Sequence, residues 1–254
     1  MRIIDLNADL GEGYGPWRMG EDAAMLDIVT SANVACGGHA GDPETMFATL
    51  RLAADRGVSV GAHPGYADRQ GFGRRIIPMA PQEITRLIAA QVGALQAMAR
   101  LAGTTVRYVK PHGALANLAA ESAPVAQAVV EAVAAVCDAP LILALSGSAL
   151  EQAAVAAGVP VRAEVYADRG YLPDGRLMPR SHAGAVLHDP AAVADRLLGF
   201  LETGRMPAAG GHSVALAADS VCLHGDTPGA VAMARHLRDR LAAGGVRLVP
   251  FAAG

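Results

Sequence analysis

Residues suited to acid–base chemistry recur in this sequence near the ends of short apolar segments. Carboxylates and imidazoles held side by side can move protons or bind a metal ion. In chain order these residues are Asp9 and Glu12, His39 and Asp42, His63 and Asp68, Lys110 and His112, Glu164 and Asp168, and His224 and Asp226. Four of the eight histidines take such a position. We therefore predict one catalytic site rather than four unrelated structural histidines.

The same residues could instead bind a metal ion or have purely structural roles. His39 and His63 with Asp9 could supply a His/His/carboxylate set, but no HxxxH or HExxH spacing supports it. Asp42 and Asp226 stand just ahead of proline-led segments, where they would equally well cap helices.

Several arginines follow the apolar segments and are candidates for binding an anionic group. They are Arg74, Arg75, Arg169 and Arg180. A guanidinium group matches a carboxylate in a bidentate manner, so we expect one or two of them to hold a substrate carboxylate. Simple solvent exposure is the alternative for each.

Short β-branched segments alternate with longer segments of helical period, which is typical of parallel strands buried on both faces. The chain has no Ser/Pro-rich linker, so we predict a single domain over residues 1–254: an α/β, TIM-barrel-like (β/α) barrel of seven or eight parallel strands. An open doubly wound sheet is the alternative. The predicted strands are Ile3–Leu6, Ala32–Cys36, Val58–Ala62, Val106–Val109, Leu141–Leu145, Val161–Val165, Val221–Leu223 and a possible eighth, Val246–Val249. In a barrel the residues named above would meet at one rim.

Helix boundaries are also readable. After Pro81 the apolar residues follow three-and-four spacing until Gly103, which predicts one long helix. Three dipeptides place a capping side chain before a proline at the first helical position: Asp42-Pro43, Asp189-Pro190 and Thr227-Pro228.

Composition excludes several classes of protein. Hydrophobic residues make up 52% and charged residues 18%, so the chain is not a disordered one. A formal charge of -3 with no basic run predicts no nucleic-acid partner, and no segment is long and apolar enough for a membrane helix. We expect a cytoplasmic protein, because no secretory signal is recognisable and three cysteines without CxxC spacing indicate no disulfide framework. No Walker loop or GxGxxG string is present.

Six long sequence blocks, in order, carry a specific resemblance: DLNADLGEGYG (5–15), SANVACGGHAGDP (31–43), GAHPGYADRQGFGRR (61–75), KPHGALAN (110–117), EVYADRGYLPDGRLMPRS (164–181) and CLHGDTPGAV (222–231). They resemble the LamB/YcsF family, whose members provide one subunit, designated A, of bacterial 5-oxoprolinase. Ala116 departs from the family, which usually has tyrosine there.

The resemblance implies a barrel similar to the glycoside hydrolase/deacetylase superfamily, ATP-dependent opening of 5-oxo-L-proline to L-glutamate, and two partner subunits, B and C. ATP is then a cosubstrate used with those partners, and a bound metal is left open. The alternatives are a metal-dependent carbohydrate deacetylase and a non-catalytic 5-oxoproline-binding subunit. The sequence also leaves a homo-oligomer open.

Residue roles follow as hypotheses. Asp9 or Glu12 positions or deprotonates water, His63 and His112 transfer a proton to the ring nitrogen, and Lys110 stabilises developing negative charge. The residues assigned to substrate binding are Asn33, His39, Arg74, Glu164, Arg169, Arg180 and His224. Of these, Arg180 or Arg169 would hold the substrate carboxylate.

Overall fold

The computed structural model describes residues 2–223 and 229–252. Within that part of the chain the strands are β1 Arg2–Leu10, β2 Ser31–Ala35, β3 Ser59–His63, β4 Val106–Val109, β5 Ile142–Leu145, β6 Val161–Tyr166, β7 Arg205–Pro207, β8 Ser213–Ala215, β9 Ser220–Leu223 and β10 Val246–Leu248. The α-helices there are α1 Asp22–Leu26, α2 Pro43–Arg56, α3 Pro81–Ala102, α4 Gly113–Glu121, α5 Ala123–Val136, α6 Ala149–Ala156, α7 Pro190–Thr203 and α8 Ala230–Ala243.

Seven parallel strands close into a barrel. The order is β1-β2-β3-β4-β5-β6-β9, and β9 returns to pair with β1 through Asp5–Ala8. The barrel prediction is confirmed, and the open-sheet alternative is wrong because both edges of an open sheet would lack this pairing. The predicted eighth strand forms as β10, but it pairs in parallel only with the first residues of β1, outside the closed ring.

Strand β1 is longer than the sequence indicated and has two different faces. Leu6, Ala8 and Leu10 are buried in the main hydrophobic core. The alternate residues Asp5 and Asn7 point into the barrel, because successive side chains of a strand face opposite ways. The barrel interior is therefore polar around β1, whereas branched apolar side chains usually fill such barrels.

The predicted helix boundaries are confirmed where the structure describes them. Helix α3 spans Pro81–Ala102, and Gly103 ends it in the left-handed conformation with φ 79°. Asp42 caps α2 by accepting a hydrogen bond from the Thr45 amide, and Asp189 caps α7 by accepting one from the Ala191 amide. Helix α8 begins at Ala230, and the predicted Thr227-Pro228 start lies outside the described residues.

Two further features complete the fold. Strands β7 and β8 form a separate antiparallel hairpin. In the described ranges no single helix meets the length and hydropathy of a membrane span; α4 and α5 meet them only as a pair, bent by 117°.

Candidate functional site

A cavity of about 430 Å³ opens at the carboxyl ends of the barrel strands. Asp9, Glu12, His63 and His112 line it on the barrel side. Four arginines also line it: Arg74, Arg169, Arg176 and Arg180. Asp9 lies within β1 rather than after it, and His63 is the last residue of β3. For Asp9, Glu12, His63 and His112 the structure thus shows the predicted convergence of distant residues at one rim.

Lys110 lies behind Asp9 and is almost completely buried. Its Nζ lies 3.0 Å from Asp9 Oδ1 and 2.9 Å from Glu164 Oε1, and it donates to Cys222 Sγ at 3.1 Å. Burial alone would lower the pKa of Lys110, but the neighbouring carboxylates raise it well above its ordinary value. The ammonium group is therefore charged, and it favours the ionised form of Asp9.

Buried amide and hydroxyl groups hold the same cluster in place through hydrogen bonds. Asn33 Nδ2 donates to Asp9 Oδ1 at 2.8 Å and to Asn7 Oδ1 at 2.7 Å. Tyr108 donates its hydroxyl proton to Asn33 Oδ1 at 2.7 Å, and Asn7 Nδ2 donates to Glu164 Oε1 at 2.9 Å. Every member is tied to at least one other, so Asp9 is held in one orientation.

Two imidazoles lie beside Asp9 with their tautomers set by backbone carbonyls. His63 Nδ1 donates to the Lys110 carbonyl at 2.7 Å, and His112 Nε2 donates to the Phe72 carbonyl at 2.8 Å. His63 Nε2 then lies 3.0 Å from His112 Nδ1 and 3.3 Å from Asp9 Oδ2. Burial, together with the nearby His63, lowers the pKa of His112 to about 3.

His39 forms the outer side of this group. Its ring is stacked on that of His112, with centroids 3.6 Å apart and planes at 4°. Its Nε2 lies 3.1 Å from Glu12 Oε1, and its Nδ1 is buried without a hydrogen-bond partner. Burial and the neighbouring His112 lower the pKa of His39 well below its ordinary value, so this ring is neutral.

Two glycines make the imidazole stack possible. A Cβ on Gly73 would lie 2.7 Å from His39 Cβ and 2.8 Å from His112 Cδ2, and a Cβ on Gly65 would lie 2.8 Å from His39 Nδ1. These separations are below van der Waals contact, so any larger residue would displace the histidines. Gly65 and Gly73 are therefore needed for the close packing of His39 and His112.

The predicted arginines separate into different roles. Arg75 pairs with Asp68. Arg169 is buried and donates to the carbonyls of Ala185 at 3.0 Å and Met178 at 2.6 Å, so two of its three nitrogens hold the loop that precedes α7. Burial and the nearby Arg180 lower the pKa of Arg169. Two guanidinium groups side by side make this wall of the cavity attractive to anions.

Several residues predicted to bind substrate do not line the main cavity. These are Asn33, His39 and Glu164, which contact other members of the cluster instead. Direct substrate contact by these three stays a prediction. His224 and Asp226 lie outside the described residues.

Asn7, Phe72 and Tyr108 also contact the site, although none of them was predicted from the sequence. The alternation of Asp5, Asn7 and Asp9 along one strand is the signal that could have revealed Asn7.

One group of side chains has the composition of a metal site. Glu12, His39, His63 and His112 each offer one ligand atom, and these atoms all lie within 4.8 Å of one another. This set differs from the predicted one, because Glu12 takes the place of Asp9 and His112 is added.

The profile of the LamB/YcsF family matches residues 4–254. The chain belongs to the LamB/YcsF family. It is 52% identical over 252 residues to a 5-oxoprolinase A subunit of Pseudomonas syringae pv. tomato, covering 99% of this chain and 98% of that one. It is 53% identical over 251 residues to the 5-oxoprolinase A subunit of Mycobacterium avium, covering 99% and 100%.

A solved structure extends the comparison. The crystal structure of a lactam utilization protein from Thermus thermophilus is 40% identical, has a TM-score of 0.92, and matches over 98% of this chain and 99% of that one. The two chains therefore share one fold over essentially their whole length.

Proposed function

We propose that this chain is the lactam-opening subunit of a 5-oxoprolinase that hydrolyses 5-oxo-L-proline to L-glutamate with ATP, together with two partner subunits, B and C. The relatives' names support the substrate and a multisubunit enzyme. The observation that carries the proposal is the cluster of Asp9, His63 and His112 at one end of a cavity whose other walls carry arginines. A small cyclic amide with one carboxylate needs the acid–base cluster for its amide and an arginine for its carboxylate.

The chemistry explains why ATP is consumed. A five-membered lactam is stabilised by resonance, so phosphorylation of its amide oxygen by ATP, with release of ADP, activates the amide carbon. Water then adds to that carbon, and the ring C–N bond breaks as the nitrogen accepts a proton. A second water hydrolyses the resulting acyl phosphate to glutamate and phosphate.

We assign Asp9 the role of orienting and deprotonating the attacking water. Lys110 and Asn33 hold its Oδ1, while its Oδ2 faces His63 next to the cavity. Lys110 does not line the main cavity, so we assign it to keeping Asp9 ionised and positioned rather than to direct stabilisation of charge on the substrate. His63 and His112 line the same part of the cavity, and we assign them to the amide end of the substrate.

Arg180 is the better candidate for the substrate carboxylate. Arg169 uses Nε and Nη2 on backbone carbonyls, whereas Arg180 lines the cavity beside it. A charge-assisted, bidentate contact would fix the ring with its amide toward Asp9.

ATP-dependent glutamate production from 5-oxoproline, measured with partner subunits present, tests the proposal. Product should form with the wild-type chain and fall by about 10²–10⁴-fold with Asp9→Asn, the range typical of a lost general base. The exposed His212→Gln serves as the matched control and should retain full activity. Unchanged glutamate production when this chain is omitted would refute the proposal.

A further inference from the structure

The two imidazoles at the cavity floor present lone pairs to one another. Carbonyl oxygens only accept hydrogen bonds, so His63 carries its proton on Nδ1 and His112 carries its own on Nε2. In neutral rings the other nitrogens, His63 Nε2 and His112 Nδ1, have no hydrogen, yet they lie 3.0 Å apart. Two lone pairs at this distance repel unless a positive species lies between them.

The donor atoms are spaced as they are around a small divalent cation. Bonds of 2.0–2.1 Å in a tetrahedron place neighbouring donors about 3.3 Å apart. His63 Nε2 and His112 Nδ1 are separated by 3.0 Å, and His112 Nδ1 and Glu12 Oε1 by 3.6 Å. These two distances lie on either side of the expected spacing, the third pair lies within 4.8 Å, and Glu12 brings negative charge.

We propose that Glu12, His63 and His112 form a binding site for one divalent metal ion of the zinc type, with a fourth position toward the cavity that no other side chain of residues 2–223 and 229–252 fills. All three side chains line that cavity. Two imidazoles and one carboxylate with an open position are typical of catalytic rather than structural zinc sites. The proposal is argued from these contacts and does not depend on the proposed function.

His39 is not a ligand in this site, although it lies in the same group. Its ring is parallel to that of His112 at 3.6 Å, so the in-plane lone pairs of the two rings cannot converge on one ion. Nε2 of His39 instead donates to Glu12 Oε1, which orients the carboxylate.

The supporting contacts match those of metal-binding histidines. A ligating imidazole generally donates its other N–H to a carbonyl or carboxylate, as His63 does to Lys110 and His112 does to Phe72. A bound ion would polarise an amide or phosphoryl oxygen of the substrate. His63 and His112 would then act as ligands. Proton transfer by these two rings requires a metal-free site and is the competing outcome.

Metal content measured by mass spectrometry, together with titration of the chelator-treated protein with Zn²⁺ and Co²⁺, tests the site. We expect one ion per chain in the wild type and visible absorption from bound Co²⁺. Glu12→Gln and His63→Gln should weaken Zn²⁺ binding by more than the roughly 10–100-fold typical of outer contacts. His212→Gln, an exposed histidine on the β7–β8 hairpin, should bind as the wild type does.

Two results would overturn the site: a folded wild-type chain that binds neither ion stoichiometrically, or binding that both variants leave unchanged. Circular dichroism confirms that each variant is folded. If one is not, imidazole ¹⁵N spectra of the wild type decide, because Zn²⁺ should shift Nε2 of His63 and Nδ1 of His112. A proton shared by these nitrogens that persists with excess Zn²⁺ would contradict the proposal. Stoichiometric metal without glutamate production would sink only the proposed function.

Discussion

Lys110 Nζ lies 3.0 Å from Asp9 Oδ1 and 2.9 Å from Glu164 Oε1, and all three side chains are buried. One ammonium group thus joins the end of β1 to the middle of β6 across the barrel interior. Removing either partner of such a pair leaves an uncompensated buried charge, which costs far more than loss of a surface pair.

Lys110→Met should therefore lower the free energy of unfolding by about 3–5 kcal/mol and reduce glutamate production. Urea denaturation measures the first effect. The control is Arg240→Met, which breaks the exposed pair with Asp195 and should cost under about 1 kcal/mol. Equal losses in the two variants would contradict the role assigned to Lys110.

Gly73 should not tolerate a side chain. Gly73→Ala puts a methyl group against His39 and His112, and it also places an alanine in a left-handed backbone conformation with φ 59°. Gly57→Ala is a matched control, since its φ is 65° but nothing lies within 4 Å of the added methyl group. We expect Gly57→Ala to lower the free energy of unfolding by about 1–2 kcal/mol with full activity, and Gly73→Ala to lower it further and to reduce activity. Equal behaviour of both would show that only backbone strain matters.

The barrel and its rim could be predicted from the sequence because apolar strand segments and capping residues are local signals. The length of β1 could not be read from an apolar run, since Asp5, Asn7 and Asp9 interrupt it, and these are the residues that face the interior. The roles of Arg169 and Gly73 depend on contacts with residues distant in sequence, Ala185 and His112, which no local pattern encodes. Likewise, the stacking that removes His39 from the ligand set is visible only in three dimensions.

Asp5 should make stability fall with rising pH. Burial raises the pKa of Asp5 to about 6 from 3.8, despite hydrogen bonds from Ser220, Ser31 and Thr30. Between these pH values the carboxyl group of Asp5 is ionised in the unfolded chain but keeps its proton in the folded chain. The free energy of unfolding therefore falls as the pH rises, and this loss becomes constant above about pH 6. A shift of this size corresponds to about 3 kcal/mol.

Asp5→Asn removes this ionisation. As the pH rises from 4 to about 6.5, the free energy of unfolding of the variant should increase by about 3 kcal/mol relative to that of the wild type. Urea denaturation at each pH measures this difference. A difference between the two proteins that does not change with pH would contradict burial of an ionisable Asp5.

Arg180 should govern substrate affinity rather than the chemical step. Its guanidinium lines the cavity beside Arg169, whose nitrogens already hold backbone carbonyls, so Arg180→Gln removes the charge that would bind the carboxylate. Hydrogen bonds to charged groups contribute about 1.5–3 kcal/mol, so KM for 5-oxoproline should rise about 10–100-fold while kcat changes little. Arg205→Gln, on the β7–β8 hairpin, should leave both constants unchanged. A fall in kcat with constant KM would instead place Arg180 at the reacting amide, because only a contact made in the transition state has that effect.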